Sequence, residues 1–216
     1  MVTNIKHICF DLDGTLIDSH KTIYNATIKS LFDLNVSAKI DEEIFREKIG
    51  MHFVDIFDDM NIHVHDFEKF IKIYKNNYFS FIEDSIFYSD AEAVLSEFSS
   101  QGFKLSLLTT KAQDQAEIIL EHFNISKYFD LIMGRRNGIE HKPSPEPLLQ
   151  ICKELSVSPA ESLIVGDTEL DILCGQNANT KTCAIIHGYR TEKSLATYKP
   201  DFIVKDLKEL KKLLVK

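Results

Sequence analysis

The chain has 216 residues, 44% hydrophobic and 27% charged, the mix of a folded globular protein and not of a disordered or fibrous one. At roughly 100 to 200 residues per domain, that length allows one large domain or a main domain with an insertion. Its 25 Lys and Arg against 33 Asp and Glu leave a net charge of −8, which repels polyanions and sets nucleic acid aside as a partner.

The N-terminal stretch MVTNIKHICFDLD has too few apolar residues before its first acid for a signal-peptide core. No run reaches the ~18 apolar residues of a membrane span, so a cytoplasmic protein with no membrane partner is expected. Residues 5–10 form a short apolar run ending in acids, the pattern of a buried parallel strand with functional groups at its carboxyl end. From 19 to 81 only helical period is present. Tyr24, Ile28, Leu31 and Phe32 make one stripe, and Phe67, Phe70, Ile71, Tyr74, Tyr78 and Phe81 make another, with shorter pieces at 44–49 and 53–57. This reads as a helical insertion whose aromatics are its own core. Beyond it a helix ends near Ser99, with Gly102 at the turn. Strands at 103–108, 131–133, 162–165, 182–186 and 202–204 then alternate with helices at 112–123, 146–155 and 170–178. Pro143, Pro145 and Pro147 bracket the start of the second of these helices, where proline is tolerated. Leu207, Leu210, Leu213 and Leu214, set among Lys205, Lys208, Lys211, Lys212 and Lys216, predict a last helix docked on the sheet with its lysines solvated. The alternation implies βαβ units and a mostly parallel sheet covered on both faces, an α/β fold.

Cys9, Cys152, Cys174 and Cys183 lack any C-x-x-C spacing, so no disulfide framework is expected. His63 and His65 have no second ligand pair at zinc spacing, and His7, His122, His141 and His187 stand singly.

The chemistry is concentrated at strand ends. Asp11-Leu12-Asp13-Gly14-Thr15 follows the first apolar run, and two carboxylates there are expensive to bury unless they bind a cation or react. An EF-hand counted from Asp11 fails, since Leu16 and Thr22 stand where Gly and Glu are needed, and no P-loop pattern exists. A second acidic pair, Asp167 and Asp171 in VGDTELD, follows another apolar run at a helix start, so both can face one site. Acids from two strand ends make an oxygen-rich pocket suited to Mg²⁺. Thr109-Thr110-Lys111 follows a third run and is expected to begin a helix, offering hydroxyls and amides at a positive dipole end. Lys142 lies ahead of a further helix.

In this order, FDLDGTLIDS, LLTTK, KPSPEPL and VGDTELDI resemble the haloacid dehalogenase superfamily, and most of all its phosphoglycolate phosphatase-like and pyrophosphatase-like branch. The resemblance runs from Ile5 to about Tyr189. It implies a Rossmann-like doubly wound parallel sheet over residues 1–17 and 85–216, with an all-helical cap domain inserted at 18–84. It implies Asp11 as the nucleophile forming an aspartyl-phosphate, and Asp13 as the acid and base that serves the leaving oxygen and then the water. Asp11, Asp167 and the Asp13 carbonyl would hold Mg²⁺, with Asp171 in support. Thr109, the Thr110 amide and Lys142 would hold the phosphoryl oxygens.

Three departures from the family's habits stand out. Thr110 replaces a common Asn, Ser89-Asp90 replaces Pro-Gly, and Asn179 replaces a glycine near the end of a helix. Substrate choice is expected in the cap, near Gly50, Met51 and His52. The expected partner is a small phosphorylated metabolite, bound by a monomer or homodimer. Two alternatives are a sugar-phosphate mutase of the same superfamily and a phospho-acceptor switch such as a receiver domain, whose motif order differs.

Overall fold

In chain order the strands are β1 (His7–Phe10), β2 (Ile17–Asp18), β3 (Ile86–Phe87), β4 (Lys104–Ala112), β5 (Leu131–Arg135), β6 (Ser162–Gly166), β7 (Lys181–Ile185) and β8 (Phe202–Val204). The helices are α1 (His20–Asp33), α2 (Glu42–Arg46), α3 (Phe53–Asp59), α4 (Phe67–Ser80), α5 (Ala91–Ser100), α6 (Gln113–His122), α7 (Glu146–Glu154), α8 (Glu169–Asn177), α9 (Glu192–Ala196) and α10 (Leu207–Leu214). These come from a computed structural model that describes residues 4–215. The chain divides into two compact units, one spanning Ile17–Ile86 and the other built from the chain up to Leu16 and from Phe87 onward.

The second unit carries a six-stranded sheet in the order β5-β4-β1-β6-β7-β8, parallel throughout. All four residues of β1 are buried, as a central strand covered on both faces must be. Neighbouring side chains on a strand point to opposite faces. Cys9 therefore packs one way, with Leu148 and Ile151 of α7 and Cys174 of α8. Phe10 packs the other way, stacking on Phe98 of α5 with ring centroids 6.3 Å apart. Helices thus cover both faces, and the fold is α/β. Leu207 and Leu210 of α10 are buried, while Lys208 pairs with Asp90 at 2.9 Å on the surface. Lys216 of that lysine series lies outside the described residues. Among the described residues no helix is long and apolar enough to cross a membrane.

His7 meets its burial cost with two hydroxyls: Nδ1 lies 3.0 Å from Ser162 Oγ and Nε2 lies 2.8 Å from Ser106 Oγ. A neutral imidazole donates to one and accepts from the other. Burial lowers its pKa from 6.5 to about 4. The unfolded chain therefore takes up a proton that the folded one refuses, and stability linked to His7 is lost as pH falls from about 6.5 to 4. The full span corresponds to on the order of 3 kcal/mol. Urea midpoints of His7→Gln are expected to fall less steeply than wild type over that range, and parallel profiles would contradict the assignment.

In the helical unit, aromatic rings of α3 and α4 form the core. Phe53 meets Tyr74 at 4.6 Å between centroids and Phe57 meets Phe70 at 4.9 Å. The stripe expected on α1 needs correction, because Phe32 is 74% exposed and the buried face is Ile23, Ala26, Thr27, Ser30 and Leu31. Thr27 and Ser30 can be buried because their hydroxyls donate to the carbonyls of Ile23 and Ala26, at 2.7 and 2.6 Å. An apolar-residue pattern passes over such positions.

Candidate active site

The sheet register brings the acids to one edge. Phe10 is level with Leu107 on β4 and with Val165 on β6. Asp11 therefore leaves β1 beside Gly166 and Leu108, with Asp167 and Thr109 one residue further on. This is the carboxyl edge, where open α/β sheets bind ligands.

Asp11, Asp167 and Asp171 are buried there, and each offers a carboxylate oxygen within 4.8 Å of the others. Lys142 Nζ donates to Asp11 Oδ1 and to Asp171 Oδ1, both at 2.6 Å. Burial pushes the Asp11 carboxyl up to about 7, the charges of Asp171 and Asp13 add to this, and Lys142 opposes it. Burial likewise raises Asp167 well above the usual carboxylate range, reinforced by Asp11 and Asp171 and opposed by the Tyr189 amide and Arg190. For Lys142, burial disfavours the ammonium, but Asp11 and Asp171 outweigh it and raise its pKa. Three buried carboxyl groups share this one ammonium, so their full ionisation leaves surplus negative charge for a cation to meet. An all-oxygen donor set with that surplus fits a hard divalent cation such as Mg²⁺.

Thr168 caps α8, and its amide and hydroxyl donate to Asp171 Oδ2 at 3.1 and 2.6 Å. With Oδ1 on Lys142, the Asp171 side chain is fully oriented. Asp167 accepts from Thr15 Oγ1 at 3.3 Å and from the Tyr189 amide at 2.8 Å. Glycines make room for these acids. A Cβ on Gly14, Gly166 or Gly188 would come within 2.3, 2.1 and 2.3 Å respectively of Asp167 Oδ2, Asp171 Cγ and Asp167 Oδ2. Gly14 also holds φ at +81°.

The expectation that Thr109-Thr110-Lys111 begins a helix is corrected. β4 continues through Ala112, and α6 starts only at Gln113. The β-branched pair Thr109-Thr110 favours extended backbone. Leu108 pairs with Met133 and Ala112 with Arg135, so residues 109–111 bulge from the ladder to β5. Within this bulge Thr109 is buried, and its Oγ1 accepts from the Lys111 amide at 3.2 Å.

Asp13 stands apart from the carboxylate trio. Its Oδ1 lies 3.1 Å from Lys111 Nζ, with side-chain exposures of only 12% and 8%. This ion pair was not foreseen, although Lys111 directly follows the two threonines. The Arg190–Glu169 pair, at 2.9 Å from Nε to Oε2, and the Tyr189 amide were also missed, since the stretch after β7 carries no motif. For Thr168 a signal existed in its three-residue spacing to Asp171. Gly50, Met51 and His52 belong to the helical unit, where His52 immediately precedes α3 and its carbonyl accepts from Ile56 N at 2.9 Å.

Comparison with known proteins gives the chain a family. The profile of the haloacid dehalogenase-like hydrolase family matches residues 8–185. The chain is 34% identical to a phosphoglycolate phosphatase from Aquifex aeolicus, covering 97% of each. It is 32% identical to pyrophosphatase PpaX from Bacillus anthracis, covering 97% of this chain and 96% of that one. A solved haloacid dehalogenase-like hydrolase from Streptococcus pneumoniae matches with a TM-score of 0.88 at 27% identity, covering 98% of this chain and 99% of that one. The chain belongs to the haloacid dehalogenase-like hydrolases and is an enzyme of that family's phosphatase group.

Proposed function

We propose that the protein is a Mg²⁺-dependent phosphatase that hydrolyses a small phosphorylated metabolite through an aspartyl-phosphate on Asp11. The observation that carries this reading is the buried trio Asp11, Asp167 and Asp171 with Lys142 bridging two of its members. The names of the relatives make phosphoglycolate and pyrophosphate the leading substrates.

In this mechanism Asp11 attacks phosphorus as a carboxylate while Asp13 protonates the leaving oxygen. Asp13 then takes a proton from the water that hydrolyses the acyl phosphate. Lys142 and Thr109 hold the phosphoryl oxygens and neutralise charge as the bond to the leaving group lengthens. Asp171 keeps Lys142 in place and Thr168 keeps Asp171 in place. Held by Asp11 and Asp167, with Asp171 in support, Mg²⁺ would supply positive charge to the phosphoryl oxygens. The helical unit serves as a cap, with Gly50, Met51 and His52 in the loop that selects substrate and excludes water.

The test is phosphate release with Mg²⁺ across phosphoglycolate, pyrophosphate, hexose and pentose phosphates, nucleoside monophosphates and an aryl phosphate. Continuous release that stops with EDTA and returns with Mg²⁺ is expected. A single phosphorylation without turnover, or silence on every compound, would overturn the reading.

A further inference from the structure

Two ammonium groups flank the acids at this edge, and each is held by different carboxylates. Lys142 is bound to Asp11 and Asp171, beside the attacking carboxylate. Lys111 is bound to Asp13, the residue that in the proposed mechanism faces the departing oxygen. The bulge in β4 gives Lys111 this position, because it lifts 109–111 out of the ladder to β5. The Lys111 side chain is only 8% exposed and that of Asp13 only 12%, so their interactions are weakly screened by water.

We propose that Lys111 is a specificity-determining residue that binds an anionic group on the leaving group, so the enzyme favours phosphoryl compounds whose departing fragment is itself negatively charged. This rests on the phosphatase reading and names its substrate class. A leaving fragment accepting a proton from Asp13 must lie within hydrogen-bond reach of that carboxylate. An ammonium 3.1 Å from the same carboxylate is then within one group's length of the fragment's next atoms. A carboxylate or phosphate there bridges to Lys111 through a charge-assisted hydrogen bond, whereas a hydroxyl or aryl group gains little. In a protein of net charge −8, a substrate anionic at both ends needs local positive charge at both ends. Lys142 serves the transferred end and Lys111 the departing end.

A matched pair isolates the effect. Phosphoglycolate and 2-hydroxyethyl phosphate have nearly the same shape, but only the first has a charged leaving fragment. Pyrophosphate and methyl phosphate form a second pair. In wild type, kcat/KM is expected to favour the charged member of each pair. In Lys111→Met that ratio falls roughly 10- to 100-fold, the worth of one charged hydrogen bond, and in Lys111→Arg it largely returns. The first pair decides, because its two leaving alcohols are alike and damage to proton transfer from an Asp13 left without its partner falls on both; phosphate leaves far more easily than methoxide, so the second pair is read only for the direction of the change. A wild-type ratio near one, or a ratio unchanged in Lys111→Met, overturns the inference while leaving the phosphatase reading standing. Wild-type silence on all four with turnover of another phosphate ester overturns the inference alone, and silence on the whole panel overturns both.

Discussion

Asp11→Asn is expected to lower kcat for phosphate release by at least about 10⁴-fold, since an amide cannot form the acyl phosphate. The fold is expected to survive. The replaced carboxyl is one whose charged form burial already disfavours, with its pKa near 7 instead of 3.8. The same shift sets a pH dependence in EDTA. The folded protein holds a proton on Asp11 that the unfolded chain has released, so the linked stability is complete below about pH 4 and is lost as pH rises through 7. Urea midpoints of wild type without metal should therefore drop between pH 5 and 8 more than those of Asp11→Asn. A well-folded Asp11→Asn variant that retains Mg²⁺-dependent turnover would sink the nucleophile assignment.

Lys142→Met is expected to be the most destabilising single change at this edge. It removes the cation that Asp11 and Asp171 each approach at 2.6 Å, leaving buried carboxylates facing one another. Breaking a buried pair in this way costs about 3–5 kcal/mol. Two conditions should return part of that loss: saturating Mg²⁺, which on the proposed reading binds only the folded state, and pH near 5, where Asp11 is protonated. Calorimetry in EDTA and in Mg²⁺ at pH 5 and 8 would show both recoveries. Phosphate release should remain at least about 10²-fold below wild type even with Mg²⁺ present, because the phosphoryl oxygens lose a fixed positive charge. Wild-type stability in EDTA at pH 8 would show that Lys142 does not hold the acids together.

Much of the sheet is readable from the chain because buried parallel strands are short apolar runs and their helices repeat every three or four residues. The acids at the strand ends stand out because charge directly after such a run needs a reason. What escapes is set by geometry that no run of letters carries. β2 and β3 hold two residues each, too few for any period. The extension of β4 to Ala112 places Lys111 in a bulge instead of a helix, and only then does its ammonium meet Asp13. Phe32 reads as core when hydroxyl residues count as polar, although Thr27 and Ser30 satisfy themselves within α1. His7 reads as a lone histidine, and its two serine partners lie 99 and 155 residues away in sequence.

The glycines around Asp167 and Asp171 bear on which ions the trio can accept. A wall of side chains widens by changing rotamers. At Gly14, Gly166 and Gly188 the wall is main chain, and it already lies too close to the carboxylates to admit even a methyl group. Holding an ion, such a seat would work as a gauge. Mg²⁺, with oxygens at about 2.0–2.1 Å, suits a tight fixed set, while Ca²⁺ wants six to eight oxygens at about 2.3–2.6 Å and a shell that can spread. Discrimination against the larger ion would then come from backbone that cannot retreat, and not from any difference in charge.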